Sequence, residues 1–350
     1  PSEWQSTQRR DPIPALDGRA EEHPRFAELM ESFVPADYLR LNPDLQGVVS
    51  ESRAMEHFLG RGYAERRPYS AAIWACVDPR FYAGRHGLAS LDEPGLRAHY
   101  GYVGRYEDRF PNDLTEFFAN CPVHLWQMGK VGSMSIARAL KEQHGQHGVH
   151  LHYVDAWHRS MPTVGVHYAR LLHHHGAGPK RIVCGVRDPV ERVVSGYFQE
   201  AESRGDAENA FGDTREAARR LASRMVSDIW YICAWFEHRF FAGFDVYAHR
   251  FDVERGCLRG IAGDVKVFIY RQDRLGELEG ELADFLGVPR LTLRPANVSS
   301  RKPYSELLTV VKSCIEIPDR LLDQIYCSRY ATTFGFDKKA SRIPAGGRIT

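Results

Sequence analysis

The sequence predicts an α/β protein in which a parallel sheet carries helices on both faces and is preceded by a small all-helical repeat module. Three observations lead to this prediction. An imperfect duplication fills the first third of the chain, β-rich runs alternate with helical stretches after about residue 121, and two of those runs end in short loops rich in cations and hydroxyl groups. Strands that alternate with helices favour a parallel sheet, with ligands at the carboxyl ends of the strands.

The β-rich runs of strand length cover residues 123–128, 149–154, 181–186 and 265–270. Helical stretches fall at 133–143, 189–201, 214–241 and 275–286, and residues 305–328 are predicted to close the domain as two helices. The chain is therefore expected to divide into a flexible lead (1–30), the repeat module (31–112), the α/β domain (113–340) and a tail (341–350).

The duplication in the first third pairs residues of the same type in two copies. The pairs are Tyr38 with Tyr82, His57 with His99, Gly62 with Gly104, Glu65 with Glu107, and Arg67 with Arg109. Each copy is typical of two short helices that end in a glycine turn. Two copies make a small module, whose Tyr, His and Arg side chains either build its core or bind a glycan.

Composition and charge restrict the class of protein. With 43% hydrophobic and 26% charged residues and a net charge of +1, the chain has the composition of a folded protein and no global field that would recruit nucleic acid. No apolar run reaches the roughly 18 residues of a membrane span, and we expect no transmembrane segment. Seven widely spaced cysteines without a CxxC motif favour free thiols and a cytoplasmic location.

The first loop follows the strand at 123–128 and opens a helix. Its sequence is Gln127-Met128-Gly129-Lys130-Val131-Gly132-Ser133-Met134-Ser135. Glycines let backbone N–H groups approach an anion closely, a lysine supplies a mobile charge, and a helix N-terminus favours negative charge. The segment therefore predicts a phosphate or sulfate site, although an ordinary strand-to-helix turn with a serine cap has the same pattern.

This loop differs from the ATP-binding motif GxxxxGK[ST]. Aligning Gly129-Lys130 with the final Gly-Lys of that motif puts His124 at its first glycine and Val131 at its Mg²⁺-binding hydroxyl. ATP hydrolysis is therefore a poor fit, and we expect no metal.

The second loop follows the strand at 181–186 and also opens a helix. Arg187 lies at the strand end, and Ser195 lies about two turns into the helix. An arginine fork and a hydroxyl can hold a second phosphate. An alternative is a surface pair of Arg187 and Asp188, with Pro189 as the first helical residue.

Together the two loops resemble those of sulfotransferases that use 3′-phosphoadenosine-5′-phosphosulfate (PAPS). The resemblance implies a P-loop-like sheet, PAPS as the donor, and transfer of a sulfuryl group to an acceptor hydroxyl. It also implies that the first loop holds the 5′-phosphosulfate and that Arg187 and Ser195 hold the 3′-phosphate. The first-loop residues concerned are Gly129, Lys130, Val131, Gly132, Ser133, Met134 and Ser135. The Lys-x-Gly-Ser form of the loop is closest to carbohydrate sulfotransferases, which implies a carbohydrate acceptor.

Two histidines on the strand at 149–154 are candidate catalytic groups. Strand alternation puts His150 and His152 on one face, beside the first loop. This His-x-His resembles that of heparan sulfate 2-O-sulfotransferases, and the resemblance implies that His152 is the base and His150 its helper. A neutral imidazole suits removal of a hydroxyl proton, and Lys130 would stabilise the leaving oxygen. Buried histidines with ordinary hydrogen bonds are the alternative.

The C-terminal half is similar to bacterial capsular-polysaccharide-synthesis proteins of the sulfotransferase type. The similarity depends on segments 244–247, 267–271, 302–305 and 325–330. The Arg-Lys-Gly signature of cytosolic sulfotransferases is absent, and we assign Arg301 and Lys302 to the cofactor site in its place.

Two other functions are compatible with the sequence. One is ATP-dependent phosphoryl transfer, against which the incomplete phosphate-loop motif argues. The other is a non-enzymatic glycan-binding protein that keeps a degenerate nucleotide site. The run His173-His174-His175 does not favour a metal, because three adjacent side chains cannot face one ion from a regular element.

Overall fold

The computed structural model describes residues 19–151, 179–203, 228–238, 240, 243–294 and 317–338. These residues form two compact units, and the chain passes from the first to the second between Ala119 and Asn120. The first unit contains helices and the second contains the sheet. Each unit is described by itself below.

The described part of the first unit is helical. Its α-helices are α1 (Phe26–Glu31), α2 (Pro35–Leu41), α3 (Ala54–His57), α4 (Ala71–Cys76), α5 (Pro79–His86), α6 (Glu93–Tyr102) and α7 (Asp113–Asn120). Short 3-10 turns lie at Ala20–Glu22, Pro43–Leu45, Glu51–Arg53 and Gly104–Tyr106, and a π-helical turn lies at Phe58–Gly62. Asp78 and Asp92 cap α5 and α6 by accepting backbone N–H bonds from Phe81 and Gly95.

Residues paired in the sequence duplication make matching contacts. The Tyr38 hydroxyl lies 2.9 Å from Nδ1 of His57, and the Tyr82 hydroxyl lies 2.9 Å from Nδ1 of His99. In both copies the glutamate forms an ion pair with the arginine two residues later. The tyrosines and His99 are buried among apolar side chains, so they serve the core of the unit.

The paired glycines have a steric role. A Cβ at Gly62 would collide with the Tyr38 hydroxyl, and a Cβ at Gly104 would collide with the Tyr82 hydroxyl. Each tyrosine reaches its histidine across the bare backbone of a glycine, which explains why the two residue types recur together.

Part of the segment predicted as a flexible lead is helical. Residues 20–22 and 26–31 are helical, and Ala20 and Leu29 are fully buried. Prediction of a flexible lead to residue 30 is wrong over these residues, because Leu29 packs in the core of the first unit. At the other end, α7 follows the predicted boundary at residue 112 and continues the first unit to Ala119.

The second unit is an α/β structure built on a five-stranded, mostly parallel sheet. The strands are β1 (Val123–Trp126), β2 (Val149–Leu151), β3 (Arg181–Val186), β4 (Cys257–Ala262) and β5 (Val265–Arg271). Their order is β2-β1-β3-β5-β4, and all neighbours are parallel except β4 and β5. The four predicted strands are therefore confirmed in their described residues, with β1 ending two residues early; residues 152–154 lie outside the described residues.

The antiparallel edge strand β4 was not predicted. It forms a hairpin with β5, in which Ala262 pairs with Val265 across Gly263 and Asp264. Gly263 has a φ of 60°, as such two-residue turns require. The Gly-Asp pair in the sequence could have indicated a hairpin turn. Arg259 and Gly260 concealed the strand, because they interrupt its apolar pattern.

The helices of the second unit are α8 (Ser133–His144), α9 (Pro189–Ser203), α10 (Trp235–His238), α11 (Glu279–Leu286), α12 (Asp319–Tyr326) and α13 (Arg329–Phe334). The 3-10 turns Val246–Ala248 and Gln272–Glu277 complete the set. The helix predicted at 275–286 is therefore divided between the second of these turns and α11. Most of the helix predicted at 214–241 and the first part of 305–328 lie outside the described residues.

Apolar side chains of α8 and α11 pack on the same buried cluster as the strands. This cluster includes Ile136 and Leu140 of α8, Leu282 of α11, Val123 of β1 and Phe268 of β5. The core thus lies between the sheet and two helices and fixes the start of α8 against the ends of the strands.

No helix among the described residues is long and apolar enough to cross a membrane. The six described cysteines are free, and all but Cys327 are buried.

We expect the free energy of unfolding to fall as pH drops from about 6.5 towards about 4. Burial lowers the pKa of His99 to about 4, and burial likewise lowers the pKa of His124 to about 4. The unfolded chain then binds more protons in this window, so acid favours unfolding by up to about 1.4 kcal/mol per pH unit for each histidine.

Urea unfolding between pH 4 and pH 7 measures this dependence. His99→Gln should reduce the slope, whereas the exposed His238→Gln serves as the matched control. Equal slopes in the wild type and in His99→Gln would show that His99 does not bind a proton on unfolding.

Candidate anion-binding site

The two loops singled out by the sequence lie at the carboxyl ends of adjacent strands. β1 and β3 are paired in parallel, with Leu125 opposite Val183. Both loops therefore leave the same edge of the sheet, which is where open α/β sheets bind ligands.

The first loop curls tightly between β1 and α8. Three of its residues have positive φ: Gly129 at 82°, Lys130 at 64° and Gly132 at 84°. At Gly132 a Cβ would also lie 2.8 Å from a methyl group of Leu275, so this position requires glycine. Lys130 adopts a conformation that costs a side-chain-bearing residue roughly 1–3 kcal/mol and that is typical of functional sites.

Helix α8 begins at the end of this loop. Its N-cap is Gly132, and Ser133 and Ser135 are buried in the first turn. The first turn of a helix presents backbone N–H groups and the positive end of the helix dipole. The start of α8 therefore favours an anion at the mouth of the loop.

Two arginines of the second loop hold backbone carbonyls of the first. Nη1 of Arg187 donates to the carbonyl of Lys130 at 3.1 Å, and Nη2 of Arg192 donates to the carbonyl of Met128 at 2.6 Å. Arg187 also forms an ion pair with Glu191 at 3.5 Å. The two loops are thus one connected structure in which Arg187 lies beside the backbone of Lys130.

Two buried tyrosines brace the same loops. The Tyr330 hydroxyl accepts from the backbone N–H of Arg187 at 3.2 Å and donates to its carbonyl at 2.8 Å. The Tyr270 hydroxyl donates to the carbonyl of Val131 at 3.0 Å. Burial raises the pKa of both tyrosines well above the ordinary value, so they remain protonated donors.

Asp188 has a structural role that differs from the surface pair considered above. Its carboxylate accepts from the backbone N–H of Glu191 at 2.9 Å and from the Tyr326 hydroxyl at 2.9 Å. Burial raises the pKa of Asp188. Asp188 therefore orders the start of α9, and Arg187 forms its ion pair with Glu191 instead.

His150 lies directly beside the first loop. Its Nε2 is 2.7 Å from Nε2 of Gln127 and 2.8 Å from the hydroxyl of Ser133. Both partners lie within hydrogen-bond distance of the same ring nitrogen, so they fix the orientation of the imidazole beside the loop. The structure thus links β2 to the first residue of α8 through one imidazole.

The structure brings together many of the predicted site residues. Lys130 and Arg187 meet through a backbone bond, and Ser133 and His150 meet through their side chains. The other loop residues keep their places: Gly129 and Gly132 shape the turn, Ser135 is buried, and the Met134 side chain is 48% exposed.

Other predicted residues have different positions or fall outside the described residues. The Val131 side chain is fully buried, and its carbonyl accepts from the Tyr270 hydroxyl. Ser195 is buried in the second turn of α9. His152, Arg301 and Lys302 lie outside the described residues, as does the His173–His175 run.

Sequence reasoning missed the residues that hold the loops. No role was given to Arg192, Gln127, Tyr270 and Tyr330, although Gln127 begins the first loop and Arg192 lies between Arg187 and Ser195. Gln127 is 2% exposed and its Oε1 has no hydrogen-bond partner within the described part of the chain. For Gln127 the available signal was a polar residue directly after the fully buried strand β1.

Within the described ranges, no group of three or more His, Cys, Asp or Glu side chains could hold a metal ion. Comparison with protein-family models, curated proteins and solved structures finds no match for this chain. The fold and the site therefore define an α/β protein with two connected loops at one edge of a mostly parallel sheet. Its function has to be inferred from those loops.

Proposed function

We propose that this protein is a PAPS-dependent sulfotransferase with a P-loop-like sheet, which transfers a sulfuryl group to a hydroxyl of a carbohydrate. The observation that carries the proposal is the bond from Arg187 to the carbonyl of Lys130. It joins two loops, each of which offers a cation at the start of a helix. A nucleotide with phosphate groups at both its 3′ and 5′ positions matches two such sites.

The 5′-phosphosulfate is assigned to the first loop. The positive φ angles at Gly129, Lys130 and Gly132 curl the backbone, and α8 adds its N-terminal N–H groups and the hydroxyls of Ser133 and Ser135. Backbone N–H groups in such a curl bind anionic oxygens without paying for reorganisation.

The 3′-phosphate is assigned to Arg187 and Ser195, and Arg301 and Lys302 are proposed to complete the cofactor site. The Arg187 side chain is 22% exposed, so it is not sealed from solvent. The fork of an arginine binds a phosphate through two parallel hydrogen bonds, which also fixes the orientation of the nucleotide.

The chemistry is an in-line displacement at sulfur. The acceptor oxygen forms a bond to sulfur while the bond from sulfur to the 5′-phosphate oxygen breaks, and adenosine 3′,5′-bisphosphate leaves. His152 takes the hydroxyl proton, and Lys130 stabilises the negative charge on the leaving oxygen. His150, held by Gln127 and Ser133, positions the base and the start of α8. This route needs no metal.

The proposal extends to the rest of the chain. The matching contacts of the two copies in the first unit support a helical repeat module. The free thiols of the described residues support a cytoplasmic location.

Calorimetric titration with adenosine 3′,5′-bisphosphate in EDTA tests the proposal, with ATP as the control ligand. We expect roughly micromolar binding that ATP does not match. Arg187→Ala should weaken it at least tenfold, because a charge-assisted bond to phosphate is lost. Arg40→Ala, an exposed arginine of α2, is the matched control. Absence of binding, or equal binding of ATP, would refute the proposed cofactor.

A further inference from the structure

The first unit has a cleft of about 290 Å³ that the proposed reaction does not use. It is lined by Val48, Val49, Arg53, His57, Gly60 and Arg61, together with Glu56. Its size is close to the lower end of the roughly 300–1,000 Å³ of small-molecule pockets. The cleft is thus large enough for one small organic group.

Three basic side chains line one wall of this cleft. Arg53, His57 and Arg61 are spaced four residues apart along a continuous helical run from residue 51 to residue 62. Residues with this spacing lie on the same face of a helix. Because the Tyr38 hydroxyl is bonded to Nδ1 of His57, Nε2 is the ring nitrogen left for a ligand.

The charges of the cleft favour an anion. Glu56 pairs with Arg53 at 3.2 Å, but both side chains are about 70% exposed, so this pair is weak. Arg61 forms no ion pair with any residue that the structure describes. Two guanidinium groups and an imidazole therefore face a single carboxylate, and the apolar wall of Val48 and Val49 adjoins them.

The second copy of the duplication shows that the fold does not need these arginines. In the alignment of His57 with His99, Gly95 takes the place of Arg53 and Val103 takes the place of Arg61. Both copies nevertheless keep the same bond from tyrosine to histidine. His99 is 4% exposed, whereas His57 lines the cleft.

The helix is also altered at the cleft. Phe58–Gly62 is a π-helical turn, closed by a bond from the N–H of Tyr63 to the carbonyl of Phe58 at 2.8 Å. In the second copy Val103, which corresponds to Arg61, makes the ordinary helical bond to the carbonyl of His99 at 2.9 Å, and a 3-10 turn follows at Gly104–Tyr106. Such π turns are frequent at functional sites, and this one presents Gly60 and Arg61 to the cleft.

From this we infer that the cleft of the first copy binds the anionic group of a sugar residue, with Arg53, His57 and Arg61 on the anion and the valines against the C–H face of the ring. The choice of a sugar depends on the proposed function, whereas the anion site depends on the cleft alone. The first unit would then bring an acidic or sulfated glycan to this enzyme.

Calorimetry on the full chain tests the inference with N-acetylglucosamine 6-sulfate as the probe and N-acetylglucosamine as its neutral counterpart. We expect binding of the sulfated sugar alone, and a loss of at least about tenfold in Arg53→Ala/Arg61→Ala. The exposed Arg80→Ala, from the second copy, is the matched control and should bind normally. Glucuronate, titrated in the same way, shows whether a carboxylate serves as well as a sulfate ester.

Several outcomes would overturn the inference. If the double variant bound the sulfated sugar as tightly as the wild type does, the assignment of an anion site to the cleft would be wrong. Equal affinity of the wild type for the neutral and the sulfated sugar would show the same. If inorganic sulfate bound as tightly as the sulfated sugar, the sugar ring would contribute nothing to binding, and the inference of a sugar ligand would be wrong. Adenosine 3′,5′-bisphosphate, titrated into the same double variant, should bind unchanged, so failure of the cleft and failure of the nucleotide site are distinguished.

Discussion

Lys130→Gly is expected to lower kcat for sulfuryl transfer by roughly 10²–10³ without lowering stability. The ammonium group is lost from the leaving oxygen, but the backbone of residue 130 has a φ of 64°, which glycine adopts freely. Glycine removes the strain of a positive φ from the folded state, but it also raises the conformational entropy of the unfolded chain. Because these two effects oppose each other, the free energy of unfolding should stay constant or rise by up to about 1 kcal/mol. Initial-rate kinetics and urea unfolding of the same preparation measure the two effects.

Two companion variants make this result interpretable. Lys130→Ala also removes the ammonium group but keeps a Cβ in the left-handed region, so it should lose activity and gain no stability. Lys130→Arg retains a charge and should keep more activity than either. Full activity in Lys130→Gly would refute the role of Lys130 in leaving-group stabilisation, whatever its stability.

The local features of the site were predictable from the sequence because they depend on neighbouring residues. The apolar run of β3 gave its bounds correctly, and the glycines at 129 and 132 predicted the tight turn before α8. Parallel pairing then followed from the alternation of strands and helices. These features need only composition and spacing, which the chain displays directly.

The contacts that hold the loops were not predictable, because they join residues far apart in the chain. Arg192 reaches a carbonyl 64 residues away, and Tyr330 reaches Arg187 across 143 residues. No periodicity distinguishes these side chains from ordinary core or surface residues. Likewise, Arg259 and Gly260 concealed β4, since an edge strand need not have a continuous apolar run.

These long-range bonds explain how the loops keep their shape before a ligand binds. The carbonyls of Met128, Lys130 and Val131 are each held by a side chain from another element. Because a trans peptide is planar, fixing these three carbonyls also fixes the N–H groups of the residues that follow them, Gly129, Val131 and Gly132. Preorganisation of this kind reduces the cost of binding an anion, and in the proposed reaction it would hold the donor for in-line attack.

Gly185→Ala is expected to be among the most destabilising single changes in the second unit. Gly185 lies in β3, and a Cβ there would be 2.7 Å from two side-chain carbons of Val131 and 2.8 Å from Cζ of Tyr270. Val131 and Tyr270 are fully buried, so neither can move aside without displacing its neighbours. Overpacking at such a position costs roughly 1–3 kcal/mol, and we expect the upper end of that range.

The same change should weaken nucleotide binding, because Val131 and Tyr270 are the pair that holds the first loop at 3.0 Å. Gly280→Ala in α11 is the matched control: a Cβ there meets nothing within 4 Å, and the helix should gain roughly 0.5–1 kcal/mol. Urea unfolding and titration with adenosine 3′,5′-bisphosphate report both effects. If Gly185→Ala were as stable as the wild type and bound nucleotide normally, β3 would not be packed against the loop, and the proposed link between the sheet core and the anion site would be wrong.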